Sequence, residues 1–295
     1  MHTILVTGGA GFIGSHVAEK LDTARARVVV FDNLSTGLKT AIPKHTIFVK
    51  GDVRSNTAVD AVIKKYKPDV VCHIAGQASN INSFTDPYSD VDVNYIGTIN
   101  VVTACVRNRV PRLVYASSML AANPTSYYGI SKYAAERFVL ATALRPDLGC
   151  RLRVTSLRMF NVYGSGQSIT NPYQGVLAIF IGNVLRGEPI RIFGSGRQTR
   201  DFIYIDDVCE AWKRVIHNPK SYGKVLDLGS GKPISINRLA TAVIAACGKN
   251  PRTYPIIHAP PRPGDLPVVR ANRKTPTIAF SEGLQQTVEW AKHNS

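Results

Sequence analysis

The sequence predicts an α/β chain: a doubly wound parallel sheet followed by a smaller C-terminal α/β domain. Val- and Ile-rich runs without polar alternation fit strands covered on both faces. Those runs alternate with helix-like segments at the spacing of βαβ units. After residue 160 the rhythm changes, with shorter segments and frequent Gly and Pro. Strand-like runs fall at 3–7, 27–31, 46–49, 69–75, 112–117 and 152–158, and helical patterns at about 12–22, 56–66, 90–108 and 128–145. Residues 161–197 read as an excursion: a loop, a helix near 175–186 and a short strand at 190–193. Strand 201–205 and helix 206–217 are expected to return to the sheet, and 225–228 adds a further strand. Residues 231–295, with Pro-rich connections, read as a small cap. The expected domains are therefore 1–160 with 199–230, and 161–198 with 231–295.

The chain has 295 residues, 44% hydrophobic and 19% charged, which is too apolar for disorder and enough for a sizeable core. No apolar run approaches the ~18–20 residues of a membrane span. The strand-like run beginning at Thr3 leaves no room for a signal peptide. The five cysteines are scattered without a C-x-x-C pair. They read as reduced thiols, and a cytoplasmic protein is expected. Lys plus Arg is 36 against 20 Asp plus Glu, a net charge of +16, which favours anionic partners. The basic residues are spread out and not interleaved with aromatics, so a nucleic-acid partner is not expected.

The first strand runs into Thr7-Gly8-Gly9-Ala10-Gly11-Phe12-Ile13-Gly14. Gly8 permits a tight turn, Gly11 lets backbone approach a pyrophosphate, and Gly14 lets the following helix pack closely. That helix's N-terminus offers free N–H groups to phosphates. A second strand ends at Asp32, placed to accept hydrogen bonds from an adenosine ribose. A carboxylate there repels a 2′-phosphate, so NAD is favoured over NADP and a Rossmann-like domain is expected. Asp52 follows the third strand, where an acid meets an adenine amine or caps a helix. His73 reads as a packed histidine, and Gly76 as a small residue beside which a cofactor can lie. No cluster suggests a metal.

Strand five is Leu113-Val114-Tyr115-Ala116-Ser117-Ser118, and ten residues later comes Tyr128-Gly129-Ile130-Ser131-Lys132. Tyr128 and Lys132 are i and i+4 and share a helix face. A nearby ammonium and a cationic nicotinamide would both favour phenolate. Such a tyrosine can take a substrate hydroxyl proton, and Ser118 can hydrogen-bond the same oxygen.

With these motifs stand Asn94-Tyr95-Ile96-Gly97-Thr98, Arg158-Met159-Phe160-Asn161-Val162-Tyr163-Gly164, Asn171-Pro172-Tyr173-Gln174-Gly175, Arg200-Asp201-Phe202-Ile203-Tyr204-Ile205-Asp206-Asp207 and Arg262-Pro263-Gly264-Asp265. Over nearly its whole length the chain resembles the extended short-chain dehydrogenases/reductases of the NAD-dependent sugar epimerase/dehydratase group. Within that group it most resembles the UDP-glucose (UDP-galactose) 4-epimerases.

The resemblance implies a catalytic set of Ser118, Tyr128 and Lys132. It implies an NAD site of Gly8, Gly11, Phe12, Ile13, Gly14, Asp32, Asn33, Asp52, Val53, Ala75, Gly76, Gln77 and Asn94, together with Tyr128 and Lys132. For a UDP-sugar it implies Ser79, Ser118, Asn161, Val176, Ile192, Arg200, Arg262 and Val269. Asn161, Arg200 and Arg262 would hold the diphosphate and residues 190–193 would line the uracil pocket. Tyr128 would take the C4 hydroxyl proton as hydride passes to bound NAD, the 4-keto sugar would turn, and hydride would return to the other face. A homodimer paired through helices 90–108 and 128–145 is also implied.

Related dehydratases and decarboxylases carry an acid just after the Ser/Thr, whereas this chain has Met119-Leu120-Ala121-Ala122. The loop from Ser118 to Tyr128 is shorter than in relatives, and the region after Ala271 lacks a helix. The shortened loop would remove part of one active-site wall, which points to a more open sugar pocket. Val269, at the family's sugar gate, would leave room for a 2-acetamido group, so UDP-GlcNAc is an expected substrate beside UDP-glucose. A uronate 4-epimerase, 2-epimerase or 4-reductase uses the same site, and a catalytically silent binding protein would keep the fold.

Overall fold

The computed structural model describes residues 2–144, 152–171, 175–262, 265–272, 275 and 278–294. Several residues of the quoted motifs lie outside them: Pro172, Tyr173, Gln174, Pro263 and Gly264, as does Cys150. The chain divides into two compact units, Met1–Met159 with Cys209–Leu226, and Phe160–Val208 with Asp227–Ser295.

In the first unit the order is β1 (His2–Thr7), α1 (Phe12–Leu21), β2 (Ala26–Asp32), β3 (Ile47–Lys50), α2 (Asn56–Tyr66) and β4 (Val70–His73). Then come α3 (Asn80–Thr85), α4 (Pro87–Val91), a π turn over Asp92–Ile96, α5 (Gly97–Arg107), β5 (Arg112–Ser118), α6 (Tyr127–Thr142) and β6 (Arg153–Met159). With β11 (Lys224–Leu228) the strands form a seven-stranded sheet in the order β11-β6-β5-β4-β1-β2-β3. The pairs from β3 to β6 are parallel, and the order reverses between β1 and β4. In open α/β sheets ligands bind at that reversal, outside the strands' C-terminal ends. Leu5, Val29, Val71, Leu113 and Val154 are within 1% of complete burial, each contributing roughly 1.5–3 kcal/mol of apolar transfer.

Local signals set the helix ends. Ser55 caps α2 by accepting the Ala58 N–H, and α2 stops at Lys67 in the left-handed region. Ser126 caps α6 by accepting the Gly129 N–H. The helix expected over 90–108 begins earlier, at Pro87 in its first turn, with Asp86 accepting the Ser89 N–H. Proline suits that position because its missing N–H would have no acceptor there.

The second unit contains β7 (Asn161–Tyr163), α7 (Val176–Leu185), β8 (Ile190–Phe193), β9 (Thr199–Arg200), β10 (Phe202–Tyr204), β12 (Ile234–Ser235), α9 (Ile236–Ala246), β13 (Ile256–Ala259) and α10 (Phe280–Asn294). The helix after β10, α8 (Ile205–Ile216), continues into the first unit. One expectation is corrected: β10 pairs in parallel with β7, not with the central sheet. β11 takes the free edge of β6, so no place beside it remains for β10.

Candidate active site

Backbone packing forces the glycine turn. Gly8 has φ 71°, and a Cβ on it would stand 2.6 Å from the Ala75 nitrogen. A Cβ at Gly14 would overlap the Gly8 carbonyl oxygen, so no larger residue lets α1 start so close to the turn. Gly11 is the N-cap of α1 and has no side chain to cap it. Phe12, Ile13 and Gly14 thus open a helix whose first N–H groups have no intrahelical acceptor, an anion-binding arrangement.

Asp32 accepts the Ala10 N–H at 3.0 Å and the Leu34 N–H at 2.7 Å, one on each carboxylate oxygen. Each oxygen keeps a further lone pair. Asp52 accepts from Asn33 at 2.8 Å and from the Arg54 guanidinium at 2.7 Å. Arg54 holds its carboxyl down at about 2. Val53 is buried against Gly97. His73 is packed, as expected: Nδ1 meets Thr7 Oγ1 at 2.7 Å and Nε2 meets Thr98 Oγ1 at 3.0 Å. Burial pushes its imidazole down to about 3, so it is neutral at physiological pH. Ser79 caps α3 by accepting the Asn82 N–H.

Gly76, Asn94 and Lys132 form a polar cradle. A Cβ on Gly76 would stand 2.9 Å from Asn94 Oδ1 and 3.6 Å from Lys132 Nζ. Asn94, in the π turn, is buried, and its Oδ1 has no hydrogen-bond partner. Such turns recur at functional sites. Gln77 Nε2 donates to the Ser79 carbonyl and to Asp90, making Gln77 a strut of the cradle. A glycine-lined space, an open buried acceptor and an uncapped helix start are what a dinucleotide requires, so these residues fit NAD.

Tyr128, Lys132 and Glu136 follow at four-residue steps along one face of α6. Lys132 and Glu136 are buried, and Tyr128 keeps some exposure although protein surrounds its hydroxyl. Lys132 Nζ lies 4.6 Å from the centre of the Tyr115 ring, and burial pushes its ammonium down to about 7. Ser118 accepts the Leu120 N–H at 3.2 Å and hydrogen-bonds Tyr128. The expected lowering of the Tyr128 phenol is not a property of the chain alone. Burial raises it, the Ser118 hydrogen bond offsets part of that, and the Asp90 charge raises it further. The positive nicotinamide invoked from the sequence is not the chain's own charge.

The second unit, taken by itself, carries a polar set of its own. Arg200 donates to the Thr199 carbonyl at 2.7 Å, to the Leu266 carbonyl at 2.9 Å and to the Asp265 carboxylate. Arg262 stacks 3.8 Å from the centre of the Phe193 ring. Asn161 donates its N–H to the Asp201 carbonyl, and its buried Oδ1 has no hydrogen-bond partner. Val176 opens α7. Ile192 is 1% exposed and packs inward, so the ring available from β8 is that of Phe193. Val269 is also buried, its N–H donating to the Thr199 carbonyl at 3.2 Å.

Three acids with structural roles were missed from sequence, Asp90 and Glu136 in the first unit and Asp201 in the second. Asp90 and Glu136 lie four residues from Asn94 and Lys132, a helical spacing that could have flagged them. Asp201, beside Arg200, is fully buried and accepts from Ser230 N–H and Oγ–H, Gly231 N–H and Ala271 N–H, at 2.6–2.9 Å. No group of three or more His, Cys, Asp or Glu that could hold a metal occurs among the described residues.

The UDP-glucose 4-epimerase of Mycolicibacterium smegmatis is 33% identical over 319 residues, covering 99% of each chain. The UDP-glucose 4-epimerase of Thermotoga maritima, solved with UDP-glucose, superposes with a TM-score of 0.92 at 31% identity over 99% of each chain. That of Thermus thermophilus, solved with NAD, gives 0.90 at 33% identity, covering 99% of this chain and 100% of its own. The family model for the NAD dependent epimerase/dehydratase family matches residues 4–229, and the chain belongs to that family.

Proposed function

We propose that the chain catalyses NAD-dependent C4 epimerisation of a UDP-hexose, interconverting UDP-glucose with UDP-galactose and also UDP-GlcNAc with UDP-GalNAc. The observation that carries the reading is the α6–β5 arrangement: Tyr128 hydrogen-bonded to Ser118, one turn from a buried Lys132 beside the Gly76–Asn94 cradle. Bound NAD⁺ supplies reversible oxidation at C4. Ser118 holds the C4 oxygen while Tyr128 takes its proton and later returns it. Asn161, Arg200 and Arg262 hold the diphosphate, so the 4-keto sugar can turn without leaving. Ser118 caps a short 3₁₀ turn over Met119–Ala121, and that turn carries no acid for elimination or decarboxylation. The small Val269 side chain supports acceptance of a 2-acetamido group.

The chain acts as a homodimer. Phe84, Tyr88, Val91, Tyr127, Ile130 and Tyr133 are exposed on α3, α4 and α6, an apolar patch of the kind that marks an interface. Its compartment is cytoplasmic, consistent with Cys72 and Cys247 being buried free thiols.

The test incubates the purified protein with UDP-glucose and, separately, UDP-GlcNAc, with and without added NAD⁺, and resolves products by proton NMR. The C4 epimer of each is expected. No epimer from either sugar, with NAD bound, overturns the hexose assignment and directs the search to uronates. A Val269→Tyr variant should lose UDP-GlcNAc turnover selectively, and an unchanged ratio of the two activities removes the gate.

A further inference from the structure

Asp90 lies in α4, four residues before Asn94, and is fully buried. Its Oδ1 accepts from Gln77 Nε2 at 2.8 Å and from Asn94 Nδ2 at 3.0 Å. Asn94 Nδ2 also donates to the Gln77 carbonyl at 3.0 Å and lies 3.3 Å from Ser131 Oγ. The nitrogen side of this amide is therefore surrounded by acceptors. Turned over, its oxygen would face a carboxylate and a carbonyl, and repulsion would replace two hydrogen bonds. The enforced orientation leaves Asn94 Oδ1 buried, unpartnered and facing the space beside Gly76. An open buried acceptor is costly, and a donor arriving with a ligand relieves it.

We propose that Asp90 is a positioning residue: it locks the Asn94 amide so that Oδ1 accepts from a donor of the bound dinucleotide, and its charge supports the ammonium of Lys132 beside Tyr128. This rests on the epimerase reading above. The titratable groups facing Lys132 are Tyr128 and Glu136 on its own helix, Asp90 of α4, Tyr115 of β5 and His73 of β4. Arg158 pairs with Glu136 at 2.6 Å. Among the described residues Asp90 has no cation within 4.0 Å, so its charge is not cancelled locally. That charge raises both Lys132 and Tyr128. Neutralising it therefore moves both titrations to lower pH.

Two variants separate the parts. Asp90→Asn keeps an acceptor for Gln77 and Asn94 and removes the charge, whereas Asp90→Ala removes both. The first readout is NAD⁺ remaining per chain after desalting, followed over time. Asp90→Ala should lose it about tenfold faster than wild type, the loss expected when one buried hydrogen bond is no longer organised. Asp90→Asn should retain it within about twofold. The second readout is the pH dependence of kcat for Asp90→Asn, whose profile should move to lower pH by about half a unit or more. A purely structural role would lower thermal stability without moving that profile. Wild-type retention in Asp90→Ala, or a wild-type profile in Asp90→Asn, overturns the proposal. If Asp90→Ala does not fold, the Asp90→Asn profile decides alone. Wild-type protein that neither retains NAD⁺ nor turns over UDP-sugars would overturn the epimerase reading instead.

Discussion

Removing Arg158 should damage the fold more than removing it together with its partner. Glu136 is fully buried. Its Oε1 accepts from Arg158 Nη2 at 2.6 Å, and its Oε2 accepts from Arg158 Nε at 3.0 Å, Ser117 Oγ at 2.7 Å and Ser156 Oγ at 3.1 Å. Arg158→Met deletes both guanidinium bonds and leaves a buried carboxylate with two hydroxyl donors. Stranding one member of a buried pair costs about 3–5 kcal/mol. In Glu136→Leu/Arg158→Met no charge is stranded. Only the two serine hydroxyls lose an acceptor, and the double variant should lie within about 2 kcal/mol of wild type. At about 2–4 °C per kcal/mol for a unit of this size, Arg158→Met should melt on the order of 10 °C below wild type, with the double variant recovering most of the loss. Differential scanning calorimetry at pH 7 reads all three proteins. If the double variant melts no higher than Arg158→Met, the pair is uncoupled and the reasoning fails.

Further outcomes follow from the same geometry. Tyr128→Phe should lose epimerisation by 10²-fold or more, of the order expected for a lost acid–base group, while retaining NAD⁺; near-normal turnover would remove Tyr128 as the base. His73 has a folded pKa of about 3 against an ordinary 6.5. The unfolded chain therefore binds the extra proton first, and stability is lost as pH falls from 6.5 towards 3. His73→Gln should flatten that loss in urea titrations at pH 4 and 7. Lys132 at about 7, against 10.5, has the same sign in another window: stability should rise between pH 7 and 10.5, by at most about 1.4 kcal/mol per pH unit. Lys132→Met should lack that rise. Ile130→Glu, in the exposed apolar patch, should shift sedimentation equilibrium to monomer.

The parts of the molecule legible in sequence are those that local pattern dictates. Uninterrupted Val-Ile runs announce β1, β2 and β4, because a strand covered on both faces needs apolar residues at every position. The glycine turn is legible because only glycine clears the Gly8–Ala75 and Gly14–Gly8 contacts. Tyr128 and Lys132 are legible because a helix converts a four-residue spacing into one face. The pairing of β10 was not, since a three-residue strand carries no periodicity and its partner depends on β11 having taken the edge of β6. Nor was the π turn at 92–96, where no residue type announces the extra residue in the helical turn. Acids are the sharpest case. Glu136 and Asp90 resemble solvated helix residues in sequence, and only the positions of Ser117, Ser156 and Arg158, or of Gln77 and Asn94, make their burial tolerable.

Glu136 also explains how one helix can hold both Tyr128 and Lys132 without losing register. Tyr128 and Lys132 occupy two successive turns of α6. The third position of the series, Glu136, ties the helix to β5 through Ser117 and to β6 through Ser156 and Arg158. Ser117 adjoins Ser118, so the strand that carries the Ser118 hydroxyl also anchors the helix that carries the Tyr128 phenol. A rotation of α6 about its axis would have to break the buried pair before it could separate Tyr128 from Ser118. If so, Arg158→Met should lower kcat more than it raises KM even at temperatures where it remains folded, and the double variant should recover stability without fully recovering kcat.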